Sequence, residues 1–145
     1  MEKTDLAYMA GLFDGEGCIH IAKLRRPESK RGCHFGLVAT IGMTSEFLLE
    51  LYRSQFGGSV YCYPRLKGNR RPCWQWIIRS RQAVAFLKAI RPYLLLKANE
   101  ADLAIEFQGA MHVGGRRIKE EWVAQETQYN LMRDLKFKTE VMNNG

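Results

Sequence analysis

The sequence predicts an α+β fold in the order αββαββα, with a helical extension behind it and four strands forming one sheet. Three observations carry this. Segments with apolar residues at every second position alternate with segments whose apolar residues recur at helical spacing. The strand-like segments come in pairs, each joined by a short basic run containing Pro, Gly or Asn. One helix precedes each pair, so the chain divides into two helix–hairpin halves. Their helices cover one face of a mixed sheet and leave the other face open. The 145 residues suit a single domain over 1–145 with a core of about 5–111, and a 46% hydrophobic content is enough to fill it.

The first helix is predicted from Thr4 or Asp5 to Phe13, with Thr4 as its N-cap. Leu6, Met9 and Phe13 form a bulky stripe, while Ala7, Ala10, Gly11 and Asp14 form a face of small residues. A glycine inside a helix costs about 1 kcal/mol relative to alanine, so Gly11 points to close approach of another backbone. The helix exits through Asp14-Gly15-Glu16-Gly17. Acids are unfavourable where the macrodipole is already negative, which points to a role for them other than stability. A strand from Cys18 to about Arg25 follows, then a basic loop from Arg26 to Gly32. The next strand, His34 to Met43, puts Phe35, Leu37, Ala39, Ile41 and Met43 on one face. His34, Gly36, Val38, Thr40 and Gly42 take the other.

Thr44 or Ser45 caps a helix over 46–56 with Leu48, Leu51 and Tyr52 as its buried stripe, and Gly57-Gly58 ends it. The second hairpin pairs Ser59–Lys67 with Pro72–Ser80 around a basic turn. Tyr61, Tyr63, Arg65 and Lys67 share one face. Gln75 and Arg79 read as exposed, leaving Trp74, Trp76 and Ile78 for the core; the reverse orientation stays open, because tryptophan also serves binding surfaces. A helix from Arg81 to Ile90 carries Val84, Phe86, Leu87 and Ile90 and breaks at Pro92. Another runs from after Lys97 to about Met111, with Ala101, Leu103, Ala104, Ile105 and Phe107 inward. The last helix is predicted over about 117–136.

No apolar run is long enough to span a membrane, and the N-terminus lacks the pattern of a secretory signal, so no membrane partner and no secretion are expected. Lys plus Arg total 22 against 15 Asp plus Glu, a net charge of +7 with a pI near 9.4. That balance fits nucleic acid, or an anionic lipid surface. The four cysteines include no C-x-x-C pair. Cys18, His20, Cys33 and His34 are the one metal set to consider, against the plainer reading of four reduced thiols. Basic residues gather at both hairpin turns with aromatics interleaved on the strand. This is the pattern of a sheet face laid in the major groove, its loops on phosphates.

At this point one family fits both motif and layout. Met9–Gly17, MAGLFDGEG, resembles the motif of the LAGLIDADG homing endonucleases. Ala10, Gly11, Leu12, Asp14 and Gly17 match it outright. Glu16 keeps the second carboxylate, Gly15 replaces an alanine, and Met9 and Phe13 are apolar substitutions. The two hairpins split by a helix, FGG after that helix, and IRPYLLLK leading into ANEADLAIEF strengthen the resemblance, which covers about residues 5–111.

The resemblance implies an antiparallel saddle-shaped sheet and a site-specific double-strand DNA endonuclease. It implies intron encoding, in a chloroplast or mitochondrion or else in a prokaryotic cytoplasm. Cleavage would be metal-dependent phosphodiester hydrolysis at a long pseudo-palindromic target. One motif per chain implies a homodimer, with Ala7, Ala10, Gly11 and Asp14 at its interface. Glu16 is the expected main metal ligand, with the Gly15 backbone carbonyl beside it. These hard oxygens suit Mg²⁺, and Mn²⁺ or Ca²⁺ can occupy such a site. Lys97 matches the family's active-site lysine, and Asp14 is expected to brace the helix end. The family often places a glutamine at the end of the second strand to position water. Here TIGMTS has none; Met43 is unsuited to that job, and Thr40 and Thr44 are the polar groups at hand. DNA contacts are expected from His20, Lys23, Arg26, His34, Thr40, Tyr61, Tyr63, Arg65, Lys67, Arg70, Gln75 and Arg79. Two other readings fit the same fold: an RNA-binding splicing maturase and a catalytically inactive DNA-binding protein.

Overall fold

The computed structural model describes residues 1–63, 71–111 and 118–144, the backbone alone past residue 138. The elements are α1 (Lys3–Glu16), β1 (Gly17–Arg25), β2 (Cys33–Met43), α2 (Glu46–Phe56), β3 (Ser59–Tyr63), β4 (Cys73–Arg79) and α3 (Ser80–Ile90). A 3-10 turn (Arg91–Tyr93), α4 (Ala98–Gly109) and α5 (Lys119–Asn144) follow. The sheet order is β1-β2-β4-β3. Every pair is antiparallel, so the mixed sheet expected from element order is corrected. The two hairpins lie with their second strands side by side, running in opposite directions.

α1 begins one or two residues earlier and ends three residues later than predicted. Glu2, not Thr4, stands at the cap, and its backbone N–H donates to the Asp5 carboxylate at 3.3 Å. The last turn takes in Asp14, Gly15 and Glu16, and β1 starts at the next residue with no linker. Gly17 makes that junction possible. A Cβ there would lie 2.3 Å from the Phe13 ring and 2.6 Å from the Phe13 carbonyl, which accepts the Gly17 N–H. The junction from β4 to α3 is equally short. Ser80, the first residue of α3, takes φ +52°, a left-handed conformation that costs a serine about 1 kcal/mol.

The core lies between the sheet and its helices. Ile19 and Ile21 of β1, Phe35, Leu37, Ala39 and Ile41 of β2, and Trp76 and Ile78 of β4 are buried on one face. This settles the orientation of β4, with Gln75 and Arg79 on the other side. Phe86 of α3 sits at the centre, its ring 5.0–5.9 Å from those of Phe13, Tyr52, Phe56 and Trp76. In α2 the buried residues are Leu49 and Tyr52, while Leu51 is 42% exposed. Tyr52 is buried as predicted, its hydroxyl donating to the Met9 carbonyl at 2.7 Å, and Leu49 takes the inner place expected of Leu51. In α3, Ala83 replaces Val84 in the core. Ser45 caps α2 through Leu48 N–H at 3.4 Å. Gly57 and Gly58, at φ +86° and +82°, end α2. No side chain fits at Gly58, where a Cβ would meet the Ile77 carbonyl at 2.5 Å.

α5 lies along the edge strand β1. Arg31 donates to the Gln125 side-chain oxygen at 2.6 Å and to the Trp122 carbonyl at 2.7 Å, with its guanidinium 4.4 Å from the Phe35 ring. Further along, Tyr129 meets Phe35 at 5.3 Å between centroids and Met132 is buried in the core. No helix among the described residues is long and apolar enough to cross a membrane.

Candidate active site and nucleic-acid interface

The exit of α1 meets the segment that leads into α4. Asp14 is only 8% exposed. Its carboxylate accepts the backbone N–H of Leu95 at 2.7 Å and of Lys97 at 3.0 Å. Its own carbonyl accepts the Lys97 ammonium. Asp14 therefore braces the start of α4, where the macrodipole favours a carboxylate, rather than the end of its own helix. The bonds bring Lys97 to within two residues of Glu16 in the same turn of α1. Glu16 itself is exposed, and its carboxylate makes no hydrogen bond or ion pair among the described residues.

The last turn of a helix leaves carbonyls without intrahelical partners. Those of Phe13 and Asp14 accept from Gly17 N–H and Lys97, and Gly15 follows in that turn. An exposed carboxylate beside such a carbonyl is a hard-oxygen donor set of the kind Mg²⁺ or Ca²⁺ takes. Among the described residues no three His, Cys, Asp or Glu side chains gather as a metal site. The Cys18, His20, Cys33 and His34 set is thus corrected: Cys33 pairs with Arg25, at the far end of β1 from Cys18.

The open face of the sheet carries His20, His34, Thr40, Gln75, Arg79, Tyr61 and Tyr63, as alternation predicts. The register aligns His20 with Val38 and Arg79, and Tyr61 with Gln75. Thr40 faces Cys18 across the ladder, and Thr44 is exposed beyond the strand end. Val38, on this same face, is 4% exposed beneath its taller neighbours. Burial first, then Lys136 and Arg79, hold the His20 imidazole below its ordinary pKa of 6.5. Lys23 departs from the prediction. It shares the parity of Ile19 and Ile21, which turns it to the helix side, where it pairs with Glu126 of α5 at 3.1 Å. Arg26 sits in the exposed turn closed by its N–H to the Gly32 carbonyl at 2.9 Å. Arg65, Lys67 and Arg70 lie outside the described residues.

The small-residue face of α1 is also corrected. Ala10 is fully buried and Asp14 is nearly so, both turned into the core because the inner face follows Met9 and Phe13. The exposed strip is Ala7, Gly11 and Gly15 at four-residue spacing. A Cβ at Gly11 or Gly15 would meet nothing within 4 Å. Beside the strip, Tyr8 (56% exposed) and Leu51 line a cleft of about 290 Å³ between α1 and α2.

Comparison with curated proteins finds no match. Among solved structures, the chain is similar to the archaeal intron-encoded homing endonuclease I-Vdi141I complexed with DNA. The TM-score is 0.78 at 13% identity, over 93% of this chain and 86% of that one. The homing endonuclease I-TnaI gives 0.68 at 19% identity, over 92% and 97%. I-CvuI, in complex with its target in the presence of calcium, gives 0.62 at 23% identity; the match spans 73% of this chain and 66% of that one. These likenesses establish a shared fold. A family model described as LAGLIDADG endonuclease matches residues 9–104, across α1, the sheet, Lys97 and the start of α4. With its motif, its antiparallel four-stranded sheet and that match, the chain belongs to the LAGLIDADG endonuclease family.

Proposed function

We propose that this chain is an intron-encoded, site-specific endonuclease that cuts both strands of a long pseudo-palindromic DNA target as a homodimer. The observation that carries the reading is the convergence of Glu16 and Lys97 on one turn, held by Asp14 across the fold. Glu16 and the Gly15 carbonyl would hold the divalent metal, Mg²⁺ in the first instance. When bound, it supplies a Lewis acid to the scissile phosphate. The Lys97 ammonium keeps two donors beyond its bond to Asp14. These can stabilise negative charge developing on the phosphate oxygens. The open face of the sheet, with His20, Gln75, Arg79 and the tyrosines, lies against base edges, and the basic turns meet phosphates.

The dimer reading rests on α1. A helix strip of Ala7, Gly11 and Gly15, exposed and without bulky side chains to intervene, suits the isologous packing of two identical helices. Tyr8 and Leu51 give that strip an apolar border. Twofold packing there brings two Glu16–Lys97 turns together, one for each DNA strand.

The test is a library of long DNA duplexes incubated with Mg²⁺ and the wild-type protein, with Glu16→Gln in parallel. Site-specific cleavage by the wild type is expected, with a loss of at least about a hundredfold in Glu16→Gln at retained DNA affinity. Tight binding without cleavage by the wild type would refute the nuclease. Structured-RNA binding without any DNA preference would point to a maturase, and a monomer at micromolar concentration would remove the dimer.

A further inference from the structure

Resting on the DNA reading above, we propose that Lys136 of α5 is a phosphate-binding residue of the DNA interface, held over the open face of the sheet by Cys18. The Lys136 ammonium donates to the Cys18 sulfur at 3.0 Å, across 118 residues of sequence. Cys18 lies two residues past Glu16 and faces the same side of β1 as His20, whose ring nitrogen is 3.9 Å from the Cys18 sulfur. A cation from the last helix therefore arrives beside the turn that carries the catalytic acid.

Its position is determined rather than incidental. Three contacts fasten α5 to the first hairpin in register: Arg31 with Gln125, Lys23 with Glu126, and Phe35 with Tyr129. Met132, one helical turn before Lys136, is buried in the core. The helix reaches Cys18 as a rigid arm.

The chemistry of the pairing favours an external anion. A thiol is a weak acceptor and leaves two of the three ammonium donors free for a stronger one. Among the described residues Lys136 makes no ion pair. Lys136 and Arg79 both act on His20, so positive groups converge on one patch of the open face without a carboxylate partner among these interactions. Such a cluster repels itself in the free protein, and a phosphate laid across it relieves that repulsion.

Binding of a mixed-sequence DNA duplex across a salt series tests this. Wild type is compared with Lys136→Met, Lys136→Arg and Lys138→Met, the last removing the same charge from an exposed position on the same helix. Lys136→Met should flatten the plot of log affinity against log salt by about 0.9 for each phosphate that Lys136 neutralises. Lys136→Arg should keep the wild-type slope, and Lys138→Met should change it less. An unchanged slope for Lys136→Met overturns the proposal, as does an equal change in Lys138→Met. Weaker binding at unchanged slope assigns Lys136 to packing and overturns it as well. Should Lys136→Met fail to fold, acetylation of the wild type read by mass spectrometry decides. DNA should protect Lys136, and equal labelling with and without duplex overturns the claim. A wild type that binds no duplex refutes the DNA reading itself, a result distinct from one confined to Lys136.

Discussion

Asp14 works for a helix other than its own. In the last turn of α1 a carboxylate is electrostatically misplaced, yet the same group lies at the start of α4, where it accepts two backbone N–H bonds. Its burial is compensated, and the bonds carry Lys97 to the motif. His20 shows the opposite case, an imidazole whose pKa burial, Lys136 and Arg79 lower. Because its folded pKa lies below the unfolded value of 6.5, the unfolded chain binds more protons in the interval between them. Stability therefore falls as the pH drops through 6.5, and the fall stops below the folded pKa. Denaturation midpoints from about pH 7.5 to about pH 5 should decline in the wild type, and the decline should shrink in His20→Gln. An identical pH profile in the variant would exclude His20 as its source.

Among the elements, α5 depends most on a single side chain. Arg31→Ala removes two hydrogen bonds and leaves the buried Gln125 carbonyl without its donor. A loss of about 2 kcal/mol is expected in chemical denaturation, with amide exchange rising along α5 before it rises in the sheet. Element order and strand faces are legible in the sequence because hydrophobic period follows burial, as Phe35, Leu37, Ala39 and Ile41 illustrate. Helix ends are not. Asp-Gly-Glu-Gly reads locally as a turn, and the partners that Asp14 finds, Leu95 and Lys97, lie more than eighty residues further along the chain. In α2 the sequence places Tyr52 correctly but not its partner, because Leu48, Leu49 and Leu51 are equally apolar and Leu49 is the one buried. The charge of Lys23 suggests the open face, whereas its parity with Ile19 and Ile21 puts it on the other. The motif makes Glu16 visible as a candidate and the family resemblance beyond it makes Lys97 visible, but nothing in the sequence places Lys136 beside Cys18.

At the scale of the whole molecule, the junction between Glu16 and Gly17 has a consequence for the proposed dimer. With no linker between helix and strand, the sheet cannot tilt or slide independently of the α1 axis. Two protomers joined along that axis would be a caliper of fixed span. Such a tool tolerates a changed letter better than a changed length. Each base pair added at the centre of a target pushes the half-sites apart by about 3.4 Å. It also rotates one against the other by about 35°. Cleavage of targets carrying one inserted central base pair should be abolished, while single central substitutions should only weaken it, as gel assays on the two sets would show. Equal tolerance of both changes would mean that the joint bends.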